Sequence, residues 1–516
     1  MFPGVHALST PDKPAVIMAG TGRTITYREL DENSARFARV LHDFGLRQGD
    51  VIALVSDNAP ECFEIYWAAL RSGLYVTAIN WHLTPAEAAY IIEDCDAKIV
   101  VASAAVGELA DGIRDLASGV EQWMVFGGDI EGYSSYTGEL EGAGERLADQ
   151  PRGSDMLYSS GTTGRPKGIK PPLLPITVDQ PGDPLTMAVG KLFGVNGSDV
   201  YLSPAPVYHA APLRWCGAVH AYGGTVVMME KFGAEEMLRA IEQYRVTVTQ
   251  VVPTMFVRLL QLPAEVRDHY DISSLRLAIH AAAPCPPDVK RAMIDWWGPI
   301  LVEYYGSTEA NGLTVITTPD WEGKPGSVGR SVLGPVHICD DDGKQLPSGE
   351  VGTVYFERET LPFTYHKDPE KTAAAQHPEH PTWTAVGDLG YVDEDGFLFL
   401  TDRKSFVIIS GGVNIYPQEV ENVLTLHPAI FDVAVIGVPD AEMGQQVKAV
   451  VQLHPGVAPT SDMATEIIDY ARDRVARYKA PKSVDFVDSL PRTATGKLVK
   501  RELEKLYKNP ASAVQN

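Results

Sequence analysis

What most limits the fold of this chain is a rhythm. Short runs of Val, Ile, Leu and Ala recur, each set between helical patterns. The stretch TITYRELDENSARFARVLHDFGLRQGDVIALVSDN shows one full beat. Leu30, Ala35, Phe37, Ala38 and Leu41 recur on a helical period, Gly45 ends the helix, and an apolar strand runs from Val51 to Val55. The alternation returns at AKIVVAS, GGTVVMME, VTVTQVVP and LRLAIHAAA. Strands apolar throughout are buried on both faces, so helices must cover them, and the expected fold class is α/β. A chain of 516 residues exceeds one ordinary core, so two or more domains are expected.

The pattern changes near residue 330. GSVGRSVLGPVHICDDDGKQLPSGEVGTVYFE reads as short strands with Gly and Asp turns, a β-rich subdomain. LGYVDEDGFLFLTDR reads as a hairpin with Asp395-Gly396 at its turn. After Arg403 the pattern resets. VENVLTLHP, DVAVIGVPD, QVKAVVQLH and EIIDYARDRVARY spell a compact α+β domain. The expected division is a large domain over 1–402, β-rich over about 330–402, a junction at 403–405, and a small domain over 406–516. No short-period repeat or low-complexity tract interrupts it.

The net charge of −23 argues against nucleic acid and anionic membranes as general partners, while leaving room for a small anionic ligand at a local basic site. Cys62, Cys95, Cys216, Cys285 and Cys339 form no C-x-x-C pair, so neither a zinc site nor a disulfide framework is indicated. The N-terminal stretch MFPGVHALSTPDKPAV lacks a signal-peptide pattern, and no apolar run approaches the roughly 18 residues of a spanning helix. A reduced, cytoplasmic enzyme is expected.

YSSGTTGRPKG, Tyr158 to Gly168, carries phosphate-binding chemistry. Gly161 and Gly164 let backbone N–H groups approach oxygen, Ser159, Ser160, Thr162 and Thr163 add rotatable donors, and Lys167 adds charge. The spacing is not that of the kinase and ATPase loop, because Lys167 precedes a glycine and no Ser or Thr follows it. A turn-rich surface loop is the plain alternative.

Four segments in order settle the comparison: YSSGTTGRPKG, YGSTEA (Tyr305–Ala310), VGDLGYVDEDGFLFLTDR and PRTATGKLVKREL. Together they resemble the adenylate-forming superfamily of acyl-CoA synthetases, peptide-synthetase adenylation domains and luciferase-like enzymes. The resemblance spans nearly the whole chain. It implies activation of a carboxylic acid by ATP to acyl-AMP, with pyrophosphate released, then capture of the acyl group by the thiol of coenzyme A.

The resemblance also implies roles. Thr162, Thr163 and Thr308 would donate to phosphate oxygens, Glu309 would hold Mg2+, and Tyr305 would flank adenine. HAAAPCP resembles the small-residue segment before this motif, so Ala282, Ala283 and Pro284 would join Tyr304, Gly306 and Ser307 around the nucleotide, although relatives often carry Gly there. Asp388 and Arg403 would hold the ribose; Val386 stands where relatives usually have Thr. Lys497 would neutralise charge as the adenylate forms. Ser405 falls at the hinge of the moving C-terminal domain, where relatives often have Asp or Lys, and Ser410, Gly411, Gly412 and Tyr416 would face the thiol route. Lys479, Lys482, Arg492, Lys500, Arg501, Lys505 and Lys508 could attract the phosphates of coenzyme A, or simply form a solvated basic helix.

The acyl pocket would be lined by Tyr208, His209, Trp215, Ala281 and Tyr304, with His209 as its gate. No acid stands near PAPVYHAAPLRW to hold an α-ammonium, which disfavours amino acids. A hydrophobic acid, fatty or ring-bearing, is the expected substrate. A non-catalytic acyl- or nucleotide-binding relative and a luciferase-like oxygenase are the rivals. A homodimer is admitted without being indicated. IKPPLLPITVDQPGDPLTM, rich in proline where relatives commonly begin a helix, reads as an altered lid or pocket wall.

Overall fold

The computed structural model describes residues 1–159, 166–440, 442–492 and 498–508. The fold divides into two compact units. One comprises Met1–Val251, Val257–His280 and Pro362–Thr372, and the other Val252–Phe256, Ala281–Leu361 and Ala373–Asn516.

The first unit holds two largely parallel ladders. In one, the neighbours run Ser134–Ser135, Gln122–Phe126, Ala97–Ser103, Val51–Val55, Tyr75–Ile79, Ser154–Asp155. In the other they run Leu277–His280, Val248–Val251, Val200–Ser203, Thr225–Met228, Pro14–Met18, with Thr24–Thr26 antiparallel at the edge. Val51–Val55 is buried at every position, as its unbroken apolar run requires. The helix Tyr27–Asp43 starts on a capping box in which the Thr26 hydroxyl accepts from the Glu29 N–H while Glu29 accepts from Thr26. It ends where Gly45 takes a φ of 90°.

Prolines shape the segment beyond the candidate phosphate loop. No helix forms there until Pro184–Phe193, capped by Asp183. The strap before it is tied along its length to the body: Tyr75 donates to the Pro171 carbonyl at 2.5 Å, Arg152 N–H to Ile176 at 2.9 Å, and Val178 N–H to Gln150 at 3.0 Å.

The second unit contains the antiparallel strands Leu301–Gly306, Leu313–Thr317 and Arg330–Ser331. Next comes the β-rich sheet of Val336–Cys339, Gly352–Glu357, Asp388–Val392 and Leu398–Arg403, with Trp383–Thr384 paired to its second strand. The hairpin read at 389–403 is present, but its turn is wound around a side chain: Asp393 Oδ1 accepts from the N–H groups of Asp395 and Phe397. Towards the C-terminus, Ile430–Asp440 pairs with Gly444–Leu453, and Ser483–Phe486 lies parallel to the latter. Their core gathers Ile415, Val420, Val435, Ala449 and Ile467.

Candidate active site

In the first unit, Leu157–Ser159 and Lys167–Ile169 close an antiparallel hairpin, with Ser159 opposite Lys167 and Tyr158 opposite Gly168. Ser160, Gly161, Thr162, Thr163 and Gly164 lie outside the described residues, so the structure describes the two strands, or rails, that flank the candidate phosphate loop. A Cβ at Gly168 would come within 2.9 Å of the Tyr158 ring, which is why the rail needs glycine there. Tyr158 donates to Asp94, and burial is the first cause of the rise in its phenol pKa. His209 caps the buried helix Ala210–Tyr222, its ring 4.5 Å from that of Tyr208. Trp215, on the same helix, is packed by Tyr201 and Phe193 at 6.0 and 5.1 Å.

The second unit holds the nucleotide candidates. The sheet register sets Asp388 directly opposite Arg403. Asp388 Oδ2 accepts from the Tyr305 hydroxyl at 2.6 Å, and Oδ1 meets Arg403 Nε at 3.0 Å. Burial first, then Asp388, pushes the Tyr305 phenol well above its ordinary pKa, so it remains a donor. The Tyr305 ring lies 6.0 Å from that of Phe356. Asn311 fastens this cluster: Ser307 donates to its Oδ1 at 2.9 Å, and its Nδ2 donates to the Thr384 carbonyl at 3.1 Å. Asn311 and Phe356 were not legible as site residues, since an Asn after TEA reads as a turn and Phe356 as a strand residue.

Tyr305, Asp388 and Arg403 are thus brought into direct contact. Gly306 ends the strand that carries Tyr304 and Tyr305, and Thr308 and buried Glu309 follow in the loop after it. Ala281 is buried, and Ala282, before Ala283 and Pro284, takes a φ of 73°, the conformation that favours the Gly of relatives. Ala310 also has positive φ, at 53°. Among the described residues no three His, Cys, Asp or Glu side chains gather as a metal cage. A single carboxylate such as Glu309 fits Mg2+, which keeps most of its waters and leans on substrate phosphates.

Ser405 lies exposed in a 3-10 turn, Lys404–Phe406. Ser410 and Val413 close a two-residue hairpin whose turn residues, Gly411 and Gly412, have φ of 56° and 79°, as a type I′ turn demands. Tyr416 caps the helix Pro417–Leu424. Lys497 lies outside the described residues.

The basic cluster of the C-terminal segment is partly a structural feature. Lys479 pairs with Glu419 at 2.7 Å, Arg492 with Asp432 at 2.5 Å, and buried Lys500 with Glu421 at 2.8 Å. These three charges are compensated inside the fold, a pairing that residues so far apart in the chain do not reveal.

Two family models match this chain: the AMP-binding enzyme model over residues 5–366 and the AMP-binding enzyme C-terminal domain model over 419–497. The chain belongs to the AMP-binding enzyme family. Within this family it is of the acyl-CoA synthetase type, an AMP-forming acyl-CoA ligase. It is 33% identical over 515 residues to a feruloyl-CoA synthase of Amycolatopsis sp, covering 98% of each chain. It is 31% identical to the long-chain-fatty-acid–CoA ligase FadD13 of Mycobacterium tuberculosis, covering 97% of each. Its fold matches the anthranilate CoA ligase AuaEII in complex with anthranoyl-AMP, with a TM-score of 0.83 at 26% identity, over 99% of this chain and 97% of that one. The large-plus-small α/β organisation expected of an AMP-binding enzyme is therefore the observed one.

Proposed function

We propose that this enzyme activates a hydrophobic monocarboxylic acid, fatty or ring-bearing, as its acyl-AMP and then forms the acyl-CoA thioester. The observation that carries the nucleotide half is the Tyr305–Asp388–Arg403 cluster. A carboxylate oriented by a phenol and a guanidinium keeps lone pairs for two vicinal ribose hydroxyls. The acyl half is supported by the aromatic and apolar character of Tyr208, His209, Trp215, Ala281 and Tyr304, and by similarity to ligases named for ferulate, fatty acids and anthranilate.

Each group has a task. The hydroxyls of Thr162 and Thr163 and the Lys167 ammonium hold the β- and γ-phosphates. Ala282 and Ala283 bring backbone close to adenine and the acyl carbonyl. Lys497 offsets the negative charge that builds as the carboxylate meets the α-phosphate. Glu309 would hold Mg2+, which would supply charge neutralisation on the phosphates. Ser405 is the hinge between a domain over 1–402 and a mobile domain over 406–516, and its turning brings Ser410–Gly412 and Tyr416 to the thiol route, with water excluded at each stage.

Pyrophosphate release measured with and without coenzyme A, over acids graded in chain length and ring size, tests the reading. Acid-dependent release is expected with apolar acids, and failure with all of them sinks the substrate class. In the same assay Lys497→Ala should abolish adenylation far more than thiol transfer from preformed acyl-AMP; equal losses would remove its role.

A further inference from the structure

One segment distant in sequence is folded against the rails of the phosphate hairpin. The 362–372 stretch belongs to the first unit. Tyr365 forms an antiparallel bridge with Ile169, and the His366 N–H donates to the Gly168 carbonyl at 2.8 Å. The segment therefore lies along the strand that leads out of the loop, as a short third rail.

Its geometry is held from several sides. The Lys367 ammonium donates to the Asp94 carbonyl and to Asp96 Oδ1, both at 2.8 Å. Asp94 in turn accepts from Tyr158, so the Leu157–Ser159 rail and the third rail both report to the end of the same helix, Pro85–Asp94. Asp96 and Lys367 each adopt positive φ, at 57° and 54°, a conformation that non-glycine residues hold only when their surroundings fix it. Tyr365 is 7% exposed, its N–H donates to Thr372 Oγ1 at 2.9 Å, and its ring packs 5.1 Å from Phe363. Over the face of this fixed ring sits the Lys167 ammonium, 4.6 Å from the centroid.

A ring face attracts an ammonium electrostatically without dictating the direction of its N–H donors. It sets where the charge is. A carboxylate in the same place would compete with phosphate for the ammonium; an aromatic face does not.

We propose that Tyr365 is a positioning residue for polyphosphate binding: its ring seats Lys167 beside the loop, and the Tyr365–Lys367 segment thereby sets how tightly ATP and pyrophosphate are gripped. This rests on the reading of Tyr158–Gly168 as the phosphate loop. Binding of ATP and of pyrophosphate is measured on the full chain by isothermal titration in the presence of Mg2+, alongside KM values for ATP and acid. Tyr365→Leu should weaken both phosphate ligands about 5- to 30-fold with the KM for acid unchanged, the melting midpoint falling only by the packing the ring loses. Tyr365→Phe, which retains the face, should stay within about twofold of the parent. Tyr365→Leu should add nothing in a Lys167→Ala background. Tyr365→Met, apolar and of comparable reach but without a ring, stands in if the leucine variant does not fold.

The outcomes separate. If Lys167→Ala leaves both affinities unchanged, the phosphate-loop reading fails and the proposal fails with it. If Lys167→Ala weakens them while Tyr365→Leu does not, or if the two losses add independently, only the proposal is overturned. A Tyr365→Leu enzyme that loses acid and ATP equally assigns the ring to packing alone and overturns the proposal as well.

Discussion

The Tyr305 hydroxyl donates to Asp388 Oδ2 at 2.6 Å while Arg403 meets the other oxygen, so one aspartate is aimed by a phenol and a guanidinium at once. The phenol cannot relinquish its proton, because burial and the neighbouring carboxylate raise its pKa. The aim is therefore constant across the working pH range.

Tyr305→Phe keeps the ring beside Phe356 and removes only the donor. A hydrogen bond to a charged group contributes about 1.5–3 kcal/mol, so the KM for ATP should rise at least about tenfold while that for acid holds. Steady-state kinetics with each substrate varied in turn checks this; a parallel rise for the acid would place Tyr305 outside the ribose clamp.

Ala282 carries a φ of 73° next to the nucleotide segment. Left-handed backbone costs a non-glycine residue about 1–2 kcal/mol, partly offset by the extra freedom glycine gives the unfolded chain. Ala282→Gly should raise stability by a net of about 0.5–1 kcal/mol, read as a shift in the urea midpoint. A lowered midpoint would mean that the methyl group contributes packing that outweighs the strain.

Glu64 is buried between Asn33, which donates to Oε1 at 2.8 Å, and Tyr136, which donates to Oε2 at 3.1 Å. Burial pushes its pKa up to about 7, with Glu61 adding to the rise and Arg23 opposing it. A carboxyl raised in the folded state binds its proton more tightly there than when unfolded. Its contribution is complete below the ordinary value near 4.5 and is lost as pH climbs towards 7. The Glu64→Gln enzyme, permanently neutral, should lose less stability than the parent between pH 5 and pH 8, by about 2–4 kcal/mol. Melting curves at the two pH values decide it, and identical pH slopes would dismiss Glu64 as the source.

Lys500 and Glu421 form a buried pair at 2.8 Å, and Glu421 also accepts from the Val435 N–H at 2.7 Å. Lys500→Ala leaves the carboxylate without its cation and should destabilise the C-terminal fold by about 3–5 kcal/mol. Lys500→Met combined with Glu421→Gln removes both charges and should recover most of that loss. If Lys500→Ala changes only the KM for coenzyme A and leaves thermal unfolding unaltered, Lys500 is a ligand residue instead.

Ser405 occupies the 3-10 turn between Lys404 and Phe406. Proline there would fix one torsion and restrict Lys404 before it. Ser405→Pro should preserve adenylation in pyrophosphate exchange and cut thioester formation about tenfold or more. Unchanged overall turnover would exclude this position as the hinge.

What the sequence disclosed depended on distance along the chain. Val51–Val55 and the helix from Tyr27 were legible because burial on both faces, a Thr26–Glu29 cap and Gly45 are local signals. The turn at 393–397 was half legible: the Asp-Gly pair marked it, but nothing in the sequence pointed to the Asp393 carboxylate that organises it. The Tyr365–Lys167 contact and the Lys500–Glu421 pair were illegible, since each joins segments that only the folded chain brings together. The family motifs marked Asp388 and Tyr305 as candidate site residues. Their mutual hydrogen bond came only with the register that sets Asp388 against Arg403.

The internal pairing of Lys479, Arg492 and Lys500 bears on how an anionic cosubstrate reaches this protein. With those cations already matched and a net charge of −23, the far field stays repulsive to such a molecule. Added salt shortens the reach of that field to about 8 Å at physiological strength. Ionic strength should therefore speed capture of coenzyme A here, where for a basic protein it would slow it.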